Sequence, residues 1–399
     1  MTTRAASPNP FLEDFAAHAA ELPGAGLPWL DARRADAIKL VRAQGIPHRR
    51  IEDWKYTDLR SALDGANDLG KVASETRLRN AVQQGYEVFE FKGDAPKWVV
   101  DSFGVIGIDG TMPAASLALA SSTIALRIPS NAMAGKPLGY EFSGQARLLI
   151  VVEAGAAITL LETPMGGADS FSNAGIEIVL YEGARLDHIR TASNAASAIV
   201  VEDLTVRAAA GAQYRAHFMS TGAKLSRTEL HVTLEGRNAE SHVSGVSVLG
   251  DGRHADVTTH IVHAAPETRS TQLFKDIAGG HSRGVYQGKI TVAEGADGSD
   301  SRQTAKGLLL GQRSEIDLKP ELEIYADDVK CAHGAAVGDL DIESLFYLRS
   351  RGIPEAEARA LLMRAFLGDA VDEIENEDIR ASVWAKVEAA LIEATEATP

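Results

Sequence analysis

Hydrophobic positions recur with two different periods along this chain, and the change of period divides it into three stretches. From Pro10 to about Leu63 the period is helical: Phe11, Phe15, Ala19 and Leu22 fall at steps of three and four, one face of a short amphipathic helix closed by Pro23-Gly24-Ala25-Gly26. A second helix is predicted from Pro28 to Gln44, with Gly45 as its C-terminal stop and Pro47 just beyond. The segment Pro47 to Leu59 that follows is dense in charge and aromatic rings, and taken alone it reads as a surface-packed connector.

Between about Gly144 and Val329 the period falls to two. Ile176, Ile178 and Leu180 alternate with Glu177 and Val179, and Leu230, Val232 and Leu234 alternate with His231 and Thr233, as strands require. Glycine punctuates these runs: Gly155, Gly183, Gly211 and Gly236 follow one another at 28, 28 and 25 residues, Gly295 comes 59 later, and Pro266 occupies the slot between. Short strands repeated every 25 to 30 residues predict a solenoid, because one coil cannot bury its inner face until neighbours stack on it. A β-helix is the best model, with Gly at corners where the chain turns sharply at no Cβ cost. A two-sheet sandwich is the structural alternative, and strict internal periodicity is what it would lack.

Helices return from Asp339. Ile342, Leu345, Phe346 and Leu348 predict a first one ending near Arg351-Gly352. Pro354 then opens a second, in which Ala358, Leu361, Leu362, Ala365 and Phe366 make an unbroken apolar stripe. A last helix is predicted from about Asp378 to Ala394 with Ile379, Val383, Val387 and Leu391 on one side, leaving a tail from Thr395 to Pro399.

Composition narrows the chemistry. The chain has 399 residues, 45% hydrophobic and 24% charged, which are ordinary globular values. Its 40 Lys and Arg against 55 Asp and Glu leave a net charge of −15, which argues against a partner held through nucleic-acid phosphates. No apolar run approaches the roughly 20 residues of a bilayer-spanning helix. The first residues, Met1-Thr2-Thr3-Arg4-Ala5 before Pro8, lack a secretory pattern, so a cytoplasmic location is expected. Cys331 is the only cysteine, so no internal disulfide and no four-thiolate site can be built from one copy.

Few motifs survive inspection. The best phosphate-loop candidate, Gly284 to Ile290, has Arg283 where a Gly is needed and Ile290 where a Ser or Thr is needed after Lys289. Nucleotide hydrolysis by the chain itself is therefore not expected. Eight of the 11 histidines lie between His188 and His281, and satisfied structural roles suit them best. Glu294, Asp297 and Asp300 read as a solvated turn. A carbohydrate-cleaving β-helix would need paired carboxylates from adjacent coils, and none is evident. Cys331 and His333, two residues apart, share one face of a strand, and a thiolate with an imidazole can ligate iron or zinc. By itself such a pair is more often a buried inert thiol beside an ordinary histidine.

Context comes from the stretch Pro320 to Ala335, containing Cys331-Ala332-His333-Gly334, and from Phe346-Tyr347-Leu348-Arg349-Ser350-Arg351-Gly352-Ile353. These resemble the SufB/SufD family of iron–sulfur cluster assembly proteins, most closely its SufD branch. Glu52-Asp53-Trp54-Lys55-Tyr56-Thr57 is similar to the N-terminal signature of that branch. The chain departs from the family near Gln303, where it reads Gln303-Thr304-Ala305-Lys306 in place of a Gln-x-Asn run, which weakens any role assigned there.

The resemblance implies a mainly β protein: a right-handed parallel β-helix over 96–335 with its leading strands, an N-terminal helical domain with connector over 1–95 and a C-terminal helical domain over 336–399. It implies a non-catalytic scaffold subunit that pairs with a SufB-like paralogue and docks a SufC-like ATPase. The isolated chain would form a homodimer at most, with no nucleic-acid or membrane partner. Cys331 and His333 become candidate ligands at the paralogue interface for a transient, shared iron–sulfur cluster, with none expected in the isolated chain. Ile353, Pro354, Ala358, Leu361, Leu362, Ala365 and Phe366 become the candidate ATPase-binding surface.

Overall fold

Strand follows strand at the predicted period because each corner of the chain can turn. In the computed structural model, which describes residues 9–64, 74–133 and 135–396, Gly155, Gly183 and Gly211 sit at φ 68°, 64° and 63°, the left-handed region that costs glycine nothing. Gly236 is different. The left-handed residue of its corner is Asn238, at φ 60°, and Gly236 is required instead because a Cβ there would lie 2.0 Å from the Ala210 nitrogen. At the Pro266 corner Glu267 takes the same conformation, at φ 60°.

These corners throw successive strands alternately into two nine-stranded sheets, so from Ser122–Ile128 onward each strand pairs with the one two places along the chain. Gln213–Ser220 lies parallel between Arg185–Ala192 and Glu240–Leu249, while Leu225–Leu234 lies parallel between Ile199–Ala208 and His254–His263. The parallel ladders make a flattened β-solenoid and exclude the antiparallel sandwich. Among the described residues antiparallel pairing between strands is confined to the N-terminal end, where Thr76–Arg79 pairs with Leu138–Phe142 and Glu87–Phe89 with Ser122–Ile128; the one other antiparallel contact is the isolated bridge between Ala223 and His254.

Like side chains stack inside. Leu148, Ile176, Leu204 and Leu230 occupy one register position on four successive coils, all fully buried or nearly so. Burying each such side chain contributes roughly 1.5–3 kcal/mol. Beyond Leu230 the same position holds Thr259, Gly288 and Pro320, so this ladder loses its aliphatic character toward the C-terminal end.

Helices cover both outer faces. The helices Pro10–His18, Pro28–Gln44 and Thr111–Leu119 bury Phe11, Leu30, Val41 and Leu117 against Leu149, Val151 and Val201 of one sheet. The surface-packed connector is pinned firmly to the sheet: Trp54 is only 7% exposed and lies under the Arg227 guanidinium at 4.2 Å. The Asp53 carbonyl accepts from Arg227 at 2.7 Å, Thr57 donates to Asp256, and Glu52 pairs with Lys319 at 2.8 Å. The connector thus clips the N-terminal helices to three strands.

At the other end, Ile342–Ser350, Glu355–Val371 and Glu377–Glu396 form three helices, the last extending past the predicted Ala394. The latter two fold back onto the second sheet, burying Met363, Leu367, Val371, Val387 and Leu391 against Met219, Val246, Val248 and Ile277. Lys275 pairs with Asp369, and Arg185 with Glu375 at 2.7 Å. No helix among the described residues is long and apolar enough to cross a membrane. The reading of Met1 to Pro8 as lacking a leader lies outside the described residues, as does the end of the tail, 397–399.

Candidate functional site

The last coil has no successor. Its strands, Glu315–Ile324 and Lys330–Asp339, each end a sheet, pair on one side only and are far more exposed than their counterparts upstream. Cys331 and His333 lie on the second of them. They align with Ser301 and Gln303, whose side chains are buried in the lumen, so the thiol and the imidazole take the inward face of the final rung. The sequence reading had placed them on one strand face; the fold adds that this face is the uncapped mouth of the solenoid.

The two differ in surroundings. Cys331 is half-buried and backs onto Ile290, Val292 and Ala296, whereas His333 is exposed. Burial, with the Asp300 carboxylate nearby, pushes the Cys331 thiol above its ordinary range, so it stays protonated at neutral pH until a metal or a cationic group displaces the proton.

Beneath the pair lie two polar ladders. One runs Ser241, Ser270, Ser301 to Cys331, and the other Gln272, Gln303 to His333. The Ser270 and Ser301 hydroxyls are 2.6 Å apart, and His263 meets Ser270 at 2.9 Å. Gln303 donates to the Tyr286 hydroxyl at 2.9 Å, and Tyr286 donates to Gln272 at 3.0 Å. The Gln303 Oε1 has no partner, which leaves one buried acceptor directly behind the His333 position. Gln303 therefore belongs to the site's inner wall despite the departure from the family's run at that point. Gly288, the residue that suggested a phosphate loop, makes room for it: a Cβ there would fall 1.6 Å from Gln303 Nε2.

Sequence reasoning missed these serines and Gln272, and discounted Gln303. A signal existed: Ser241, Ser270, Ser301 and Cys331 recur at the coil period, and stacking the coils in register would have put them in one column.

Apolar surface gathers around the mouth. Val337 on the last strand and Ile342 and Phe346 on the helix leaving it are exposed, the latter two by 78% and 73%. The seven residues of the expected ATPase-binding stripe divide in the structure. Ala358 is buried and unavailable to a partner, Leu362 and Phe366 are partly buried, and Phe366 lies beneath Lys275 at 5.1 Å. Ile353 is also partly covered, while Pro354, Leu361 and Ala365 are exposed. The inward face of this helix is set by Met363, Leu367, Ala370 and Val371, so the stripe read from periodicity straddles its boundary. Leu361 lines a groove of about 530 Å³ with Leu391 and Ile392 of the last helix.

Comparison with known proteins agrees with this architecture. Residues 138–366 match the core domain of SufBD proteins, described as SUF system FeS cluster assembly, and residues 6–91 match the SufBD N-terminal region. A Synechocystis iron–sulfur cluster assembly SufBD family protein is 29% identical over 395 residues, 86% of this chain and 87% of its own length. The iron–sulfur cluster assembly protein SufD of Escherichia coli is 28% identical over 392 residues, 86% of this chain and 89% of its own. A Mycobacterium tuberculosis SufBD family protein is 26% identical and covers 90% of the chain.

Proposed function

The chain belongs to the SufBD family of iron–sulfur cluster assembly proteins, and on that premise we propose that it is a non-catalytic scaffold subunit that helps to build and pass on nascent clusters. The observation that carries this reading is the uncapped last coil, with Cys331 and His333 together on the lumen face of an edge strand paired on one side only. One thiolate and one imidazole are too few to hold a cluster, whose irons usually take four protein ligands. The remaining ligands come from a SufB-like paralogue docked on the same edge. Two full-length strands with one free side supply backbone donors and acceptors for such a partner, and Val337, Ile342 and Phe346 supply apolar contact.

Energy enters from a second partner. A SufC-like ATPase docks in the groove of Leu361 and Ile392, and its motion reaches the solenoid through the helix Glu355–Val371, tied to the sheet by Lys275 and Asp369. The cluster is cargo, shared with the paralogue and absent from the isolated chain, where the raised thiol favours the protonated, non-ligating form. Without its partners the chain forms a homodimer through the same edge. The setting is the cytoplasm, with no nucleic-acid or membrane partner.

The test is co-expression with paralogue and ATPase, measuring subunit stoichiometry, ATP hydrolysis and iron–sulfide content together. His333→Ala is expected to assemble and hydrolyse ATP normally while its cluster yield falls at least tenfold; Cys331→Ser is expected to lose less, because thiolates of the partner replace a thiolate more readily than an imidazole. Unaltered cluster yield in both variants would make the pair structural and sink the proposal.

A further inference from the structure

A second cluster of ligating side chains lies on the opposite outer face, away from the open end. Asp203 on Ile199–Ala208 aligns with Glu229 on Leu225–Leu234, and His231 follows Glu229 by two residues and so shares its outward face. One ligand atom from each of the three lies within 4.8 Å of those of the other two. They open onto a cavity of about 780 Å³ between this sheet and the N-terminal helices, bordered also by Trp54, Asp109, Thr205 and His260.

The charge balance around this cluster is unfinished. Arg227 is committed to Glu229 at 2.7 Å and to Asp256, and Arg147 to Glu177 at 2.8 Å. Asp203 is 3% exposed, and its Oδ1 is buried without any hydrogen-bond partner, as is the Thr205 hydroxyl beside it. A buried carboxylate oxygen left unpaired is costly, and both nearby arginines are already engaged. The cavity gives an ion a route to it.

From the unpaired Asp203 oxygen, the Glu229 carboxylate and the His231 imidazole, we infer that this face binds a divalent transition-metal ion, separately from the cluster chemistry of the open end. Two carboxylates and one imidazole suit zinc, manganese or ferrous iron, whereas an all-oxygen set would suit calcium or magnesium. Ligand bonds of about 2.1 Å draw the three side chains together by rotamer changes into the cavity, and water completes the coordination. All three ligands lie on Ile199–Ala208 and Leu225–Leu234, so the bound ion ties these two neighbouring strands together on the wall of the cavity.

The experiment uses the full chain carrying Cys331→Ser and His333→Ala, so that the open end contributes no ligands and a failure of the cluster reading leaves the result intact. Equilibrium dialysis against zinc is expected to show one ion per chain and a rise in melting temperature with zinc. Asp203→Asn, nearly isosteric, is expected to weaken binding at least tenfold and to abolish that rise. Should Asp203→Asn fail to fold, His231→Gln, a partly exposed position, gives the same reading. Binding that survives either folded variant undiminished, or no bound zinc in the parent chain, overturns the inference; a metal-free parent whose melting temperature rises on Asp203→Asn would identify a protonated carboxyl pair instead.

Discussion

The two ends of the solenoid are built from the same repeat and finished in opposite ways. At the N-terminal end each sheet closes with a short antiparallel strand, four residues at Thr76–Arg79 and three at Glu87–Phe89. Short, reversed edge strands offer little to pair with, the usual defence of an exposed sheet edge. At the C-terminal end both sheets stop on ten-residue strands, Glu315–Ile324 and Lys330–Asp339, and their lumen face is left without a lid. A solenoid must end somewhere; a blunted end is protection, and a full-length open end is a surface for a partner. That the solitary cysteine lies on the open rung joins the physical contrast to the chemistry.

The contrast breaks first on buried charge. Leu230→Asp, in the closed aliphatic lumen, is expected to cost roughly 5 kcal/mol or more and leave no cooperative unfolding transition by circular dichroism. Val337→Asp, at the open end, is expected to shift the stability of the isolated chain by about 0.5 kcal/mol or less while abolishing capture of the paralogue. Equal destabilisation by the two would show that the last coil is as closed as the rest.

The clip between the covered face and the N-terminal helices comes next. Trp54→Ala removes a buried ring and its contact with Arg227, an expected loss of about 3 kcal/mol in denaturant unfolding. A loss under about 1 kcal/mol would mean that the connector merely rests on the sheet.

On the C-terminal helices, Leu361→Asp with Ile392→Asp is expected to weaken ATPase binding by about 2 kcal/mol, some thirtyfold by titration calorimetry, with the melting temperature unchanged. Both side chains are exposed, by 43% and 60%, so the fold does not depend on them. Changing Phe366 instead would confuse docking with folding, since it packs against Lys275.

The smallest effect concerns pH. His217 lies under the C-terminal helices, its Nδ1 2.9 Å from the Ser244 hydroxyl, and burial brings its pKa from 6.5 down to about 4. The folded state holds the neutral ring and the unfolded state takes up the proton first, so its contribution is fully present above pH 6.5 and is lost as pH falls toward 4. Between pH 6.5 and 5.5 the loss is roughly 1 kcal/mol. His217→Gln should remove its own share of the slope across that interval and leave that of His254, His260 and His263, which burial also brings down to about 4; an unchanged slope would show that His217 contributes none.

The sequence alone determined the solenoid and most of the flanking helices, since both follow from local periodicity, but not the helix Thr111–Leu119 or the closing strands Thr76–Arg79 and Glu87–Phe89. Period two with corners every 25 to 30 residues specifies stacked coils, and Pro28 and Gly45 bound a helix whose observed limits, Pro28–Gln44, match the reading. It also singled out Cys331 and His333 as candidates, because the only cysteine and its neighbour are visible without a fold. What the tertiary structure alone decided is everything that depends on which coil neighbours which. The serine and glutamine columns behind Cys331 and His333 exist only in register, across separations of about 30 residues. Asp203 and Glu229 meet for the same reason, and the unpaired oxygen of Asp203 depends on where Arg227 and Arg147 are already engaged. The helix stripe at Ala358 to Phe366 was misassigned in part because periodicity reports that a face is apolar and not what covers it. Alternation sets the direction of a side chain; only packing sets its partner.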